Sequence, residues 1–309
     1  MALTLTEAAK LSNDTLRVGV IETIVKESPI LSRLPFISVL GNGLTYNRES
    51  TMAAADFYDV GDSWSESTPT FTQHTATLKI LGGDADIDNF LARTRGNLQD
   101  LVVTVIEQKA KAVAHAFEES FLYGDSTANP KQFDGLHRLV PASQQVHQGS
   151  GTTPAPLSLA NVDALLDLIR PGKPDLLLMS RRTRRLISQY ARSANSPVVI
   201  SSSAFGEMVA TYNGIPIAVS DFLSDSESLS GGAYAGKTGG TASSIFALEF
   251  GEDALAGLEG SDGIVVEEVG NLETKDARRF RVKWYCAIAA FSTLCLARID
   301  GISGGTVTA

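Results

Sequence analysis

The sequence predicts an α+β fold of two units, one inserted into the other. Three observations carry this expectation: one long amphipathic helical stretch at residues 97–123, alternating helix and strand patterns from about 157 to 238, and a β-rich return from Ser243 to the end. A chain of 309 residues agrees with about two folding units at roughly 100–200 residues each. Hydrophobic residues make up 43% of it, enough for a sizeable core and too many for a disordered chain.

In chain order, the first helix follows a cap at Asn13 or Asp14. Leu16, Val20, Ile21, Ile24 and Val25 recur at helical spacing, and Pro29 lies beyond its end. One short helix with a single apolar stripe is not stable alone, so it needs a host. Residues 36–82 read as a long β-hairpin with arms from Phe36 to about Glu49 and from about Thr68 to Leu81. Its middle, Met52–Pro69, is polar and acidic, with Asp56, Asp59, Asp62 and Glu66 around Trp64. A hairpin so poor in core-formers is marginal in isolation, which implies a projecting arm that finds its partner elsewhere.

The helix from Asn97 to Tyr123 carries Leu98, Leu101, Val102, Val105, Ile106, Val113, Ala116, Phe117 and Phe121 at i, i+3, i+4, i+7 spacing. Asn97 is its expected N-cap, and Gly124 stands where a C-cap glycine belongs. A Gly124–Pro130 loop and Phe133-Asp134-Gly135-Leu136 follow, then a Pro/Gly/Ser/Thr/Gln-rich stretch, 141–156, that reads as a linker. The second unit holds a helix capped by Ser158, an apolar strand at Leu176–Met179, a helix capped by Ser180, and two strands flanking the turn dipeptide Asn213-Gly214. In the final segment, Ile245–Phe250, Ile264–Val269 and Arg281–Ile299 read as strands able to pair with the helical spine region and close the first unit.

A net charge of −9 argues against a protein whose main task is gripping nucleic-acid phosphates. Cys286 and Cys295 are nine positions apart, an odd offset, so on a strand they face opposite ways and read as buried thiols rather than a disulfide. The N-terminus has neither the basic nor the apolar region of a secretion signal, and the most apolar run, Trp284–Ala297, is too short to cross a bilayer as a helix.

No nucleophile elbow, phosphate loop or complete dinucleotide fingerprint occurs. His74, His115, His137 and His147 form no metal-ligand spacing and read as surface or loop residues. No catalytic, cofactor or metal residue is therefore expected. Asp84, Asp86 and Asp88 alternate on one face of an extended stretch; a solvated or interfacial acidic face is the expectation, with cation binding as the alternative. Arg181, Arg182, Arg184 and Arg185 crowd the first turn of a helix, against its dipole. They read as a solvated face, as an inter-subunit salt-bridge site facing a neighbour's carboxylates, or as a DNA contact. Asp221, Asp225 and Glu227 are acidic candidates in the same unit.

The order of these features resembles the major capsid proteins of tailed bacteriophages, whose fold encapsulin compartments share. Phe121-Leu122-Tyr123-Gly124-Asp125, Phe133-Asp134-Gly135-Leu136 and Gly214-Ile215-Pro216-Ile217 carry the resemblance, which covers essentially the whole chain. It implies an N-terminal arm (1–35), an extended E-loop hairpin (36–82), a P-domain (83–150 and 243–309) with a spine helix, and an inserted α/β A-domain (151–242). It further implies self-assembly through hexamers and pentamers into an icosahedral shell. That shell would enclose double-stranded DNA without sequence-specific binding, be built in the host bacterial cytoplasm, and be accompanied by a separate scaffold, portal or decoration protein. A membrane partner and an enzymatic activity are not implied. Asp56, Asp59, Asp62, Trp64, Glu66 and the four arginines become candidate inter-subunit contacts. The alternatives are an encapsulin-like shell around cargo enzymes and, more remotely, an α/β enzyme.

Overall fold

The computed structural model describes residues 30–95, 101–193, 200–202 and 208–308. The expected N-terminal helix and the Asn97 cap lie outside them. After a short turn of helix α1 (Ile30–Arg33) come strands β1 (Phe36–Val39), β2 (Gly43–Thr51), β3 (Thr70–Thr77) and β4 (Lys79–Asp88), then helices α2 (Asn89–Arg95) and α3 (Leu101–Tyr123). The middle holds α4 (Leu136–Leu139), β5 (Gln145–His147), α5 (Leu159–Asp167), β6 (Leu176–Met179) and α6 (Arg181–Ser193). Next are β7 (Ile200–Ser202), β8 (Met208–Tyr212), β9 (Ile215–Val219), β10 (Ser228–Ser230) and β11 (Ala233–Gly236). The chain finishes with β12 (Ser243–Leu248), β13 (Leu255–Asn271), β14 (Ala277–Ala290) and β15 (Leu296–Ile302).

Helix α3 is the spine. Its 23 described residues span ~35 Å at 1.5 Å per residue. Val113, Phe117, Phe121 and Leu122 on its last three turns are buried. Phe117 packs on Trp284 of β14 at 4.6 Å between ring centroids, and Phe36 closes the cluster at 5.5 Å from Trp284. The helix ends where Gly124 and Gly135 meet backbone to backbone, Gly135 N–H donating to Gly124 O at 2.9 Å. A Cβ on Gly124 would lie 2.3 Å from Phe133 O, so this crossing admits only glycine.

Two main sheets flank the spine. One has the order β1-β13-β14-β4 and presents Val282, Trp284 and Cys286 to α3. The other has seven strands, β5-β15-β12-β6-β9-β8-β7. Its central strands β6, β12 and β15 are buried at every position; β6 is apolar throughout, whereas β12 and β15 also bury Ser243, Ser244, Arg298 and Asp300. Leu176, Leu178, Phe246, Leu248 and Leu296 join the core beneath the spine. Leu177, Met179, Ile245, Ala247, Ala297 and Ile299 face the other way, into a second core covered by α5 and α6. Asn213 and Gly214, both at positive φ (49° and 79°), make the expected tight turn between β8 and β9.

The structure departs from the sequence reading in several places. Ser243–Leu248 and Leu296–Ile302 reach the spine through Phe246, Leu248 and Leu296, but their backbones pair in the seven-stranded sheet, β12 between β6 and β15 and β15 between β12 and β5. There they are buried on both faces, between the core beneath the spine and the core covered by α5 and α6. The run expected as one strand from Arg281 to Ile299 is therefore two strands, broken at Phe291–Cys295. The first hairpin arm also divides: Phe36–Val39 pairs in parallel with β13, and the chain turns through Gly41 before β2. The stretch 141–156 is no linker, since Gln145–His147 pairs with β15 and Ala155 bridges Ile302. Ser180 caps α6 as expected, its Oγ 3.2 Å from Thr183 N, whereas the Ser158 side chain does not cap α5. Cys286 and Cys295 are free and buried, and burial pushes their thiols up to about 12 and about 11.

Candidate functional site: surfaces for association

The hairpin of β2 and β3 is paired from Gly43↔Thr77 to Thr51↔Thr70. Among the described residues, its base is the part that touches the body. Tyr46 Oη donates to Ala290 O at 3.0 Å, Arg48 Nε donates to Phe291 O at 2.9 Å, and the Tyr46 and Phe291 rings meet edge-on at 4.8 Å. These contacts use the break between β14 and β15, so the bend that splits the expected strand also seats the arm.

Beyond Thr51 the chain leaves the body. Asp56, Asp59, Asp62, Trp64 and Glu66 are all exposed. The tip is shaped locally: Tyr58 stacks on Trp64 at 4.3 Å, Tyr58 Oη and Ser65 Oγ lie 2.8 Å apart, and Asp62 Oδ2 accepts from Asp59 N at 2.7 Å. Hydrogen bonding to Ser65 holds the Tyr58 phenol below its ordinary value. Met52, Phe57, Val60 and Trp64 stand in solvent, Phe57 as exposed as an isolated residue at 107%. Sequence reading singled out the carboxylates and Trp64 but missed Met52, Phe57 and Val60. The available signal was large apolar residues inside a polar loop that follows neither strand nor helix period.

The arginine cluster divides. Arg181 forms a bidentate pair with Asp221, its Nη2 2.7 Å from Oδ2 and its Nε against Oδ1. Arg182 Nε lies 3.3 Å from Asp225 Oδ1, and its Nη2 donates to Thr241 O at 3.0 Å. Two carboxylates considered for a neighbour are thus used within the subunit. The loop after β9 returns over the start of α6, and their negative charge offsets the cations crowding that helix end. Arg184 and Arg185 point to solvent. At 100° per residue, Arg181, Arg184, Arg185 and Arg192 share one side of α6, opposite buried Thr183, Leu186 and Ile187.

The acidic alternation on β4 is neither an empty cation site nor a bare face. Asp84 pairs with Arg281 at 2.7 and 2.9 Å, and Asp86 with Arg279 at 2.6 and 2.8 Å, across the β4–β14 register. The arginine hydrogen bonds hold both carboxyls below the usual range. Lys283 and Glu267 extend the ladder onto β13 at 2.5 Å. Asp88 Oδ1 instead accepts from Phe90 N at 2.8 Å, starting α2. His137, expected on the surface, is buried, as is Glu227. Among the described residues, no three His, Cys, Asp or Glu side chains gather as metal ligands, and no helix is long and apolar enough to cross a membrane.

A search of curated protein sequences finds no match. Solved structures do match along the full length. The holo-SrpI encapsulin complex of Synechococcus elongatus PCC 7942 is 18% identical with a TM-score of 0.73, covering 100% of this chain and 99% of that one. The capsid of a native GTA particle is 14% identical with a TM-score of 0.67, covering 98% and 99%. The capsid of the Myoviridae phage XM1 is 13% identical with a TM-score of 0.67, covering 94% and 97%. At such identities these matches speak for the fold: a tailed-phage capsid fold with spine helix, projecting hairpin and two main sheets. The sequence itself matches the model of the phage capsid family over residues 10–244, about three quarters of the chain, and the protein therefore belongs to the phage capsid family.

Proposed function

We propose that this chain is a major capsid protein that self-assembles through hexamers and pentamers into an icosahedral shell around a double-stranded phage genome. The observation that carries the proposal is the hairpin, anchored at Tyr46 and Arg48 and ending in solvent-exposed Phe57, Val60 and Trp64. A soluble subunit gains nothing by holding such side chains in water; a neighbour that covers them recovers their transfer free energy, about 25 cal/mol per Å². In this reading the arm of residues 36–82 lies on an adjacent subunit, residues 151–242 sit near the capsomer axis, and residues 1–35 pack on their own or a neighbouring subunit. Asp56, Asp59, Asp62 and Glu66 flank the tip contacts, and Arg184 and Arg185 face a neighbour's carboxylates. The role is structural rather than catalytic, the location is the virion capsid, and a separate scaffold, portal or decoration protein completes the particle.

The full-length match to an encapsulin favours a second reading, a compartment shell around a protein cargo. Electron microscopy of the expressed chain tests both. Closed shells that protect DNA from nuclease support the capsid, shells that co-purify with a protein cargo support the compartment, and a monodisperse monomer at high concentration rejects both.

A further inference from the structure

Below the end of the spine lies a buried polar group that the assembly surfaces do not use. Arg298 on β15 is held by Asp300, with Nη2 3.0 Å from Oδ2 and Nε 2.7 Å from Oδ1. Its Nη1 donates to the backbone oxygen of His137 at 2.7 Å and sits 3.0 Å from His137 Nδ1. Glu227 lies 3.2 Å from His137 Nε2 and accepts from Tyr123 Oη at 2.6 Å and Ser244 Oγ at 2.5 Å. The His137 ring stacks on Tyr234 at 3.7 Å and Tyr123 at 4.9 Å between centroids. Glu227, Ser244 and Asp300 are fully buried, and Arg298 is 2% exposed. One cluster thus joins the spine's last residue, α4, the stretch before β10, and strands β12 and β15.

A guanidinium has only donors. Arg298 facing His137 Nδ1 therefore makes that nitrogen an acceptor, and the ring carries its proton on Nε2, toward Glu227. A proton arriving from solvent would have to settle on Nδ1. It would set N–H against N–H at the Arg298 contact and place a second cation beside the first. Glu227 and Asp300 favour the imidazolium, but they do not remove that clash; the ring must leave Arg298 to accept the proton. We propose that His137 is an acid-sensitive latch, closed while neutral, that fastens the end of the spine and α4 to the seven-stranded sheet.

Burial agrees with the geometry: desolvation, opposed by Glu227, holds the His137 imidazole below its ordinary 6.5. The sign follows. An opened junction binds the proton before a closed one does, so the latch contributes its full stability above 6.5 and loses it as pH falls toward the lower folded value. The other charged or titratable groups facing the cluster are His147, 3.7 Å from Asp300 Oδ2, Lys237 over the Tyr123 ring, itself paired with Glu119, and Asp125, whose charge bears on Tyr234.

The test is hydrogen exchange in the full-length protein between pH 7.5 and 5, corrected for intrinsic exchange. Opening at residues 136–140 should rise by up to about tenfold for each pH unit below 6.5 in the wild type and in His147→Gln. It should stay flat in His137→Gln, whose amide can both accept from Arg298 and donate to Glu227. An equal acid response in His137→Gln and wild type overturns the proposal. Nitrogen-15 magic-angle-spinning spectra of the wild type give an independent reading: a proton on Nε2 at pH 7.5 is expected. A ring carrying its proton on Nδ1 overturns the latch even if the variant fails to fold.

Discussion

Phe117 is the residue on which the first core turns. It is fully buried and touches Phe36, Phe121, Phe133 and Trp284 at centroid distances between 4.6 and 6.2 Å. Phe117→Ala should destabilise the subunit by about 3–5 kcal/mol, measured by denaturant unfolding under conditions that keep subunits dissociated. A loss below about 1 kcal/mol would mean that the cluster collapses into the space. On the sheet surface, Asp86 with Arg279 sets a different kind of dependence. The carboxyl is held below its ordinary 3.8, so its contribution is present above that value and fades as pH drops through the lower folded one. Asp86→Asn should accordingly flatten the pH dependence of thermal unfolding between pH 4 and 2; an unchanged slope would show that the pair adds nothing to stability. Its partner was not legible in the sequence. Alternation told that Asp84 and Asp86 share a face, but register alone decides which strand brings the arginines.

The hairpin and α6 carry the predictions at the scale of elements. Replacing Phe57 and Trp64 together by Ser removes no intramolecular core, so circular dichroism and thermal unfolding of the subunit should stay as in the wild type while shell yield drops several-fold. Wild-type yield would remove the tip from the contact. Arg184→Glu with Arg185→Glu should likewise spare folding and impair capsomers, more at low salt where like charges are less screened; indifference to both changes would leave that side of α6 merely solvated. The hairpin has no lysine from Gly41 to Leu78, and Lys79 donates to Pro130 O at 2.9 Å at the base. Boiled shells should therefore run as one monomer band, and a ladder would reveal chain-to-chain bonds. The spine and the Asn213-Gly214 turn were legible because their signals are local: a 3.6-residue period and a dipeptide suited to positive φ. The allocation of β12 and β15 was not, because a strand buried on both faces does not name its neighbours.

For the whole molecule, the two cores share a wall of three strands, and only residues from distant parts of the chain complete it: β6 from the middle, β12 and β15 from the end. The arm, by contrast, is held at one end, by Tyr46 and Arg48 and by Leu44 and Ala76 packed on the first core. From Gly43 to Val60 it spans up to ~60 Å at about 3.3 Å per residue. A tilt of about 5° at the Tyr46–Ala290 anchor would swing its far end by ~5 Å over that ~60 Å reach. The arm is a lever, and small errors of angle at its pivot are magnified where it lands. If neighbouring subunits meet at the tip as proposed, the curvature of the surface they tile would depend on the angle fixed at Phe291 as well as on the contact itself.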